Sequence, residues 1–163
     1  MIPRYSTSEM SKIWSTENKF RIWLKIEVLV CEIQEKLGYI PKNTTKNIKK
    51  RAKFDEKKIL DIEKKTKHDV IAFLTNVAEY VGKDSKFIHK GLTSSDILDT
   101  CYSLQLVASS NLLIKRLKLL LSNLKKKAFK YKDLVTIGRS HGIHAEPTTM
   151  GLKFAYAYAE FER

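Results

Sequence analysis

Glycine, proline and cysteine are all scarce in this chain of 163 residues, which has six Gly, three Pro and two Cys. So few turn-forming residues favour long helices over a β fold, which needs frequent turns. Cys31 and Cys101 belong to no CxxC pair and no Cys/His cluster. We therefore expect two free, buried thiols in a reducing compartment, and neither a disulfide nor a zinc site.

Several functional signatures are also missing. The sequence has no Gly-rich phosphate loop and no HExxH, which argues against a P-loop protein and a zincin. The N-terminal residues lack the apolar core of a secretory signal. The most apolar segment, 22–33, is interrupted by Lys25, Glu27 and Glu32 and falls short of the ~20 apolar residues that span a bilayer. We expect a cytoplasmic protein with no membrane segment.

The charge is strongly basic, with a formal net charge of +13. One interpretation is a basic helical module that binds nucleic acid or another partner. The other is a lysine-rich solvated surface around a site for a small anion. Only six of the 31 basic residues are Arg, the residue that forks onto phosphates and bases. The basic runs also lack interleaved aromatic residues, so we favour the solvated surface and no specific nucleic-acid partner.

Helical periodicity runs through most of the chain. Residues 96–131 contain no Gly or Pro, and apolar side chains recur along them at helical spacing. A helix of this length exceeds what a compact globule usually holds and indicates one rod of an extended bundle. The sequence therefore predicts a protein built mainly of long helices. The last apolar pattern continues to Arg163, which indicates a truncated bundle.

The polar segment Gly138–Thr149 is the strongest functional candidate, because it concentrates two imidazoles, a guanidinium, a carboxylate and three hydroxyls. Gly142 permits a tight turn, and Pro147 suits the first turn of a helix. We predict a rigid turn that presents His141, followed by a helix beginning near Thr148. Histidine suits proton transfer near neutral pH. The alternative is a polar loop whose histidines only satisfy backbone groups.

Two further polar groups lie where helices are predicted to begin. In Thr66–Asp69, the Asp69 carboxylate suits a helix cap, and Lys67 and His68 would point beyond the helix start. The alternative is an ordinary junction with solvated charges. In Thr93–Asp96, hydroxyls at a helix N-terminus can cap the helix or hold a carboxylate. The alternative is simple capping, although three hydroxyls and an acid exceed what a cap requires.

Together these polar groups resemble the N-terminal part of the adenylosuccinate lyase family, in the fumarase/aspartase superfamily. The resemblance covers the whole chain in order, and the form His-Gly-Ile-His-Ala-Glu-Pro is specific to this family. Lys67 departs from the more usual Arg and keeps the charge. The matching segments are Arg4-Tyr5 before Ser-x-x-Glu-Met, Lys67-His68-Asp69-Val70, Gly91–Asp96 with Asp99-Thr100, and Gly138–Thr149.

The resemblance implies an all-α protein with a small helical N-terminal domain over 1–92 and the first part of a central helical bundle over 93–163. The full-length protein is implied to assemble into a homotetramer. The implied substrates are small nucleotides: adenylosuccinate, which loses fumarate to give AMP, and the succinylated carboxamide ribotide of purine synthesis (SAICAR, giving AICAR). The implied reaction is a β-elimination that requires no metal or organic cofactor.

The same resemblance assigns roles to individual residues. His141 matches the general acid that protonates the leaving nitrogen, and His68 matches the histidine that assists it at the substrate. The remaining positions match substrate-binding residues: Thr93 and Ser94 at a substrate carboxylate, His89 at the phosphate, and Arg4, Tyr5, Lys67 and Asp69 in the nucleotide site.

One family motif does not occur in this sequence. The family's catalytic serine lies in a later Ser-Ser-x-Met-Pro-x-Lys-x-Asn-Pro loop, so the base of the reaction cannot be identified in this chain. Family sites are built from several subunits, and this chain would hold one share of each. We therefore expect the 163-residue polypeptide alone to lack lyase activity.

Overall fold

A computed structural model describes residues 2–163 of the chain, apart from the side chain of Pro3. The predicted all-α class is confirmed, with one small hairpin added to the helices. Short 3₁₀ helices occupy Pro3–Tyr5 and Gly82–Phe87. The other elements are α1 (Ser8–Ile13), α2 (Thr16–Lys36), α3 (Thr44–Arg51), α4 (Glu56–Thr66), α5 (Asp69–Val81), α6 (Ser94–Lys130), β1 (Val135–Ser140), β2 (Ile143–Thr149) and α7 (Met150–Glu162).

The chain forms two compact units, one ending at Ser109 and the other comprising Ser110–Arg163. Helix α6 runs through the point of division, so both units include part of it. The predicted division into domains 1–92 and 93–163 stays a prediction, because it concerns functional domains and not compactness.

An aromatic cluster forms the centre of the first unit. Phe20 and Trp23 of α2 meet Phe73 of α5, with ring centroids 5.7 Å and 5.4 Å apart. All three side chains are about 1% exposed or less. Burying one large apolar side chain contributes about 1.5–3 kcal/mol, so these rings fix how α2 and α5 pack. The core is completed by buried apolar residues of α3 to α6 and of the α2–α3 connection, including Ile40, Ile48, Ile59, Val70, Val77, Val81 and Ile97.

Both cysteines are free and buried, as predicted. Burial, together with the nearby carboxylates of Glu27 and Glu35, raises the pKa of the Cys31 thiol to about 11. Burial also raises the pKa of Cys101. Both thiols are therefore neutral, small apolar residues of the core at physiological pH.

Side-chain caps set where the short helices begin. Asp55 accepts a hydrogen bond of 3.0 Å from the Lys58 N–H and so caps α4, as an Asp at this position should. At the start of α3, the carboxylate of Glu35 accepts the N–H groups of Thr45 at 2.7 Å and Asn43 at 2.9 Å. These donors, Thr45 first, lower the pKa of Glu35. A side chain of α2 therefore holds the first turn of α3.

Helix α6 is the predicted long rod, with 37 residues. In the first unit one of its faces is buried at four-residue steps, through Ile97, Cys101, Gln105 and Ser109. The Gln105 amide donates to the Ile13 carbonyl at 2.8 Å and ties this face to the end of α1. Other apolar side chains along the rod are exposed, among them Leu104, Val107, Leu113, Ile114, Leu119 and Phe129.

Among residues 2–163, α6 is also the one helix whose length and composition would allow it to cross a membrane. The charge-free part of α6 is Thr100–Ile114, which is 15 residues long and ends at the adjacent Lys115 and Arg116. Because a span needs ~20 apolar residues, α6 fits a helix of a bundle better than a transmembrane segment.

The segment after α6 corrects one expectation. Strands β1 and β2 form an antiparallel hairpin in which Ile137 faces Pro147, with an irregularity between Ile137 and Arg139. Pro147 therefore lies in a strand and not in the first turn of a helix. Both strands of an isolated hairpin are edge strands, which is where a strand tolerates the missing N–H of proline. Thr149 caps α7 by accepting from the Leu152 N–H at 3.1 Å, so this helix begins two residues beyond the predicted Thr148.

Gly151 gives a test of the packing in the second unit. A Cβ at this buried position would lie 2.5 Å from the Ala128 carbonyl oxygen and 2.6 Å from the Lys132 Cα. Backbone atoms cannot rotate away, so we expect Gly151→Ala to lower the free energy of unfolding by about 1–3 kcal/mol. Urea unfolding followed by circular dichroism measures the change. The exposed Glu160→Ala on the same helix should change it by less than about 0.5 kcal/mol, and equal stability of the two variants would contradict the packing described here.

Candidate functional site

His141 lies at the tip of the β1–β2 hairpin. Ser140 pairs with Ile143, which leaves His141 and Gly142 as a two-residue turn. Both have positive φ, 52° and 80°, as the tight turns that match the twist of a hairpin require. The His141 side chain is exposed. The predicted tight turn that presents His141 is confirmed, although a hairpin and not a loop before a helix carries it.

Lys67, His68 and Asp69 form the junction between α4 and α5. Lys67 ends α4 with a left-handed backbone, φ 53°. His68, and not Asp69 as predicted, is the cap of α5: its Nδ1 accepts from the Ile71 N–H at 3.4 Å. Asp69 is instead the first residue of α5, and its carboxylate accepts the Val70 N–H at 2.8 Å.

The cap constrains the proton of the His68 ring. Nδ1 can accept from Ile71 only when it carries no proton, which places the proton of the neutral ring on Nε2. An ion pair between Nδ1 and the Asp69 carboxylate, 3.6 Å away, would need the opposite arrangement. The capping bond is the shorter of the two, so we assign the tautomer that offers Nε2–H to a ligand.

His89 belongs to the connection that leads into α6. Its backbone is left-handed, with φ 64°. The Glu27 carboxylate of α2 accepts the His89 N–H at 2.8 Å through Oε2, and its Oε1 lies 2.7 Å from the ring Nδ1. The Glu27 side chain is 1% exposed and that of His89 is 21% exposed. One buried carboxylate therefore fixes both the backbone and the ring of His89.

Two other side chains of α2 hold the same connection. The thiol of Cys31 lies 3.6 Å from the Phe87 carbonyl, and the Gln34 amide donates to the Lys90 carbonyl at 2.7 Å. Positions 27, 31 and 34 follow the three- and four-residue spacing of one helix face. The path of the chain from Phe87 to Lys90 is thus determined by a row of side chains on α2.

Sequence reasoning did not identify Glu27 as a site residue. Burial raises its pKa, while the hydrogen bonds and the charge of His89 lower it. The signal was present in the sequence, because Glu27 lies four residues after Trp23 and four before Cys31, on an apolar face. An acid in such a position needs a buried partner.

Thr93 and Ser94 lie at the start of α6. The Asp96 carboxylate accepts the Thr93 N–H at 2.8 Å, and the Asp96 N–H donates to the Thr93 carbonyl at 3.1 Å. This acid at the third helical position closes the start of the helix in the manner of a capping box. Thr93 is exposed and Ser94 is half-buried. The hydroxyls therefore sit beside free helical N–H groups, in a position suited to an anion.

Arg4 and Tyr5 form part of the short 3₁₀ turn at the N-terminus. The Arg4 guanidinium carbon lies 4.9 Å from the centre of the Tyr5 ring, in a cation–π contact. Both side chains are exposed, and Tyr5 keeps 73% of its surface. The turn therefore presents an exposed cation and an exposed phenol to a ligand.

Backbone conformation separates the candidate residues from the rest of the chain. Four non-glycine residues of the described chain have positive φ: Asn43, Lys67, His89 and His141. Three of the four are residues that the sequence predicted for the site. Such conformations cost about 1 kcal/mol or more each and concentrate at functional positions. The predicted residues lie at four places, and the last three of these each contain one residue with positive φ: the N-terminal turn, the α4–α5 junction, the connection before α6 and the hairpin of the second unit.

No group of three or more His, Cys, Asp or Glu side chains in residues 2–163 is arranged to hold a metal ion. The closest arrangement of such ligands is the pair Glu27 and His89, which are already bonded to each other.

Comparison with known proteins gives the family. The model of a protein family described as lyase matches residues 4–163. The chain belongs to this lyase family. It is 52% identical to an adenylosuccinate lyase of Synechocystis sp. and 47% identical to one of Bacillus subtilis, in both cases over all 163 residues. It spans 38% of the length of these curated relatives. The lyase membership confirms the resemblance drawn from the sequence.

Solved structures of other proteins have the same fold. A fumarate lyase from Mesorhizobium sp. matches 97% of the chain with a TM-score of 0.90 and 24% identity, and the chain covers 38% of it. A β-carboxy-cis,cis-muconate cycloisomerase from Acinetobacter calcoaceticus matches 96% of the chain, also with a TM-score of 0.90, at 23% identity; the chain again covers 38%. At these identities the likeness concerns the helical fold alone.

The pairing of Glu27 with His89 predicts a pH-dependent loss of stability. In His89→Ala the buried Glu27 carboxylate loses a hydrogen-bond donor, which costs about 1–3 kcal/mol when the carboxylate is charged. The folded-state pKa of Glu27, already raised by burial, then rises further above its unfolded value. Stability of the variant should therefore fall as the pH rises from the unfolded pKa through the folded pKa and stay low above it.

Denaturant unfolding of the lyase chain between pH 4 and pH 8 measures this slope. The double variant Glu27→Gln with His89→Ala has no ionisable group at this place and should lose that part of the pH dependence. An identical slope in the single and double variants would show that Glu27 is not the group responsible.

Proposed function

We propose that this chain is the N-terminal part of an adenylosuccinate lyase. The reaction is the β-elimination of fumarate from adenylosuccinate to give AMP, and from SAICAR to give AICAR. The observation that carries the proposal is the identity of 46–52% to four adenylosuccinate lyases along the entire chain. The four groups of polar residues, three of which include a residue with a left-handed backbone, support it, because they are the residues that the family resemblance assigns to the site.

The elimination needs a base at one carbon and an acid at the nitrogen that leaves the neighbouring carbon. A base takes the proton from the carbon beside a carboxylate, the electron pair forms the double bond of fumarate, and the carbon–nitrogen bond breaks. The departing nitrogen must then receive a proton. We assign this step to His141, because an exposed imidazole on a rigid hairpin turn can approach a substrate without rearrangement of the backbone. None of the residues assigned here is the base, because the family's catalytic serine loop does not occur in this sequence.

The residues of the first unit bind and orient the substrate in this proposal. His68 assists at the substrate through Nε2–H, the donor that its capping role leaves available. Thr93 and Ser94 hold the carboxylate on which negative charge builds, next to the N–H groups at the start of α6. Arg4, Tyr5, Lys67 and Asp69 contact the nucleotide, with His89 at its phosphate.

The assembly we propose is a homotetramer in the cytoplasm, with a small nucleotide as substrate and no membrane contact. Its support is the apolar surface of α6, where Val107, Leu113 and Leu119 are 55–58% exposed. These side chains lie on different sides of the helix, and so much exposed apolar surface is typical of a helix that other helices of a bundle contact from several sides. Each active site would combine residues from more than one subunit.

Nucleic-acid binding remains the second candidate, favoured by the net charge of +13. Several lysines of this basic surface pair with acidic side chains on the same helix or on a neighbouring one. This pairing favours a solvated surface over a nucleic-acid site. Lys58 lies 2.7 Å from Glu79, Lys64 lies 2.6 Å from Asp61, and Lys49 pairs with Glu32. If the chain binds to immobilised DNA of every sequence tested, and this binding weakens steeply with salt, only general electrostatic attraction is indicated.

The 163-residue polypeptide is expected to release no fumarate from adenylosuccinate above background. The reason is that it spans 38% of its relatives' length and carries one share of a divided site. An absorbance assay with the purified chain measures the rate. Turnover well above the buffer control would refute this expectation.

A chimera tests the proposed reaction itself. The chain replaces the aligned segment of the Bacillus subtilis adenylosuccinate lyase, to which it is 47% identical over its full length. We expect the chimera to cleave adenylosuccinate and His141→Gln to reduce kcat by about 10²–10⁴-fold, the usual contribution of a general acid. His144→Gln, an exposed imidazole on the same hairpin, is the matched control and should retain activity. A chimera that folds and assembles but is inactive, or one in which the two substitutions have equal effects, would contradict the proposal.

A further inference from the structure

We propose that Glu27 is a positioning residue: it holds the ring of His89 so that Nε2 binds an anionic group of the nucleotide, with the phosphate as the first candidate. The proposal rests on the proposed function for the identity of the ligand. The part that concerns Glu27 rests on the geometry of the first unit.

Two hydrogen bonds from one carboxylate remove most of the freedom of His89. The bond to its N–H, 2.8 Å, stabilises a left-handed backbone that a histidine adopts at a cost. The bond at Nδ1, 2.7 Å, fixes the rotation of the ring. With Nδ1 engaged in the interior, Nε2 is the ring nitrogen left for another group, on a side chain that keeps 21% of its surface.

The protons of the pair explain why an anion should bind there. With two protons, the pair is either a carboxylate with an imidazolium or a carboxylic acid with a neutral ring, and both forms carry a proton on Nε2. Burial disfavours an isolated carboxylate at Glu27 and so favours retention of the second proton. Nε2–H then donates to the anion, while the carboxylate compensates the charge of the ring.

The position of this pair fits a contact with substrate better than a purely structural role. His89 lies four residues before Thr93, on the connection that leads to the start of α6. Gln34 and Cys31 already hold the neighbouring carbonyls of Lys90 and Phe87. A further fastening of the backbone there would not require an ionisable ring.

Helix α2 contains a matched control. Glu35 also accepts two backbone N–H groups, those of Asn43 and Thr45, but it holds the start of α3 and no imidazole. Glu35→Gln therefore perturbs a carboxylate clamp of the same kind on the same helix. It should leave the ring of His89 unchanged.

The test is nuclear magnetic resonance of the imidazole nitrogens in the ¹⁵N-histidine-labelled 163-residue chain at one fixed pH. The chain has four histidines, and substitution of each one assigns its signals. In the native chain and in Glu35→Gln, the His89 Nδ1 signal should be that of a hydrogen-bonded nitrogen, because both forms of the pair share a proton between Nδ1 and Glu27. In Glu27→Leu, which fills the space without a hydrogen-bonding group, this signature should disappear and the ring should resemble the exposed His144.

Titration with inorganic phosphate, against chloride at equal ionic strength, then tests the ligand. Phosphate should shift the His89 Nε2 signal of the native chain, and the apparent Kd should rise by about tenfold in Glu27→Gln, which keeps an acceptor but loses the charge. Equal responses in the native chain, Glu27→Gln and Glu35→Gln would overturn the positioning role. No response of native His89 to phosphate would overturn the anion site. Neither readout uses fumarate release, so a failure here is distinct from a failure of the lyase assignment.

Discussion

The hydrogen bonds between the buried Glu27 side chain and His89 connect the core of the first unit to the surface that carries its candidate site residues. A carboxyl group that is 1% exposed is costly unless its oxygens are hydrogen-bonded, and the N–H and the ring Nδ1 of His89 supply both partners. The same face of α2 carries Trp23, which packs against Phe73 in the aromatic cluster. The packing that fixes α2 therefore also fixes the position of Glu27 and the direction in which its side chain points. His89 is held as precisely as the helix on which its partner lies.

How far the sequence predicts this molecule depends on the range of the forces concerned. The long rod, the free thiols and the turn at His141 follow from local patterns: helical periodicity, the absence of Cys partners and a Gly after a His. Pro147 was placed wrongly, because a helix start and an edge strand both tolerate proline and only the pairing with Ile137 decides between them. The contact between Glu27 and His89 spans 62 positions of the sequence, and local patterns carry no information on such a pairing.

The parts of α6 before and after Ser109 differ in burial. In the first unit its buried residues recur every four positions, so that one stripe of the helix faces the core and the remainder faces outward. Beyond Ser109 no residue of α6 is fully buried, although leucines continue along it. Helical propensity and apolar repetition are enough to predict the rod, but they do not say what covers it. A lyase of this fold that forms a bundle would bury these leucines between helices, which is why their exposure supports assembly.

Three candidate site residues have a left-handed backbone, and in each case a local contact or turn stabilises that conformation. Lys67 adopts a left-handed backbone at the end of α4, where that conformation closes the helix: its N–H donates to the Glu63 carbonyl at 2.8 Å. His89 adopts it with its N–H bonded to Glu27, and His141 adopts it because a two-residue hairpin turn requires it. At Lys67 and His141 the end of a helix or the pairing of two strands determines the backbone, and at His89 the Glu27 side chain does so. A site assembled in this way is preorganised before substrate arrives, so binding energy need not be used to shape these turns and remains available for the transition state.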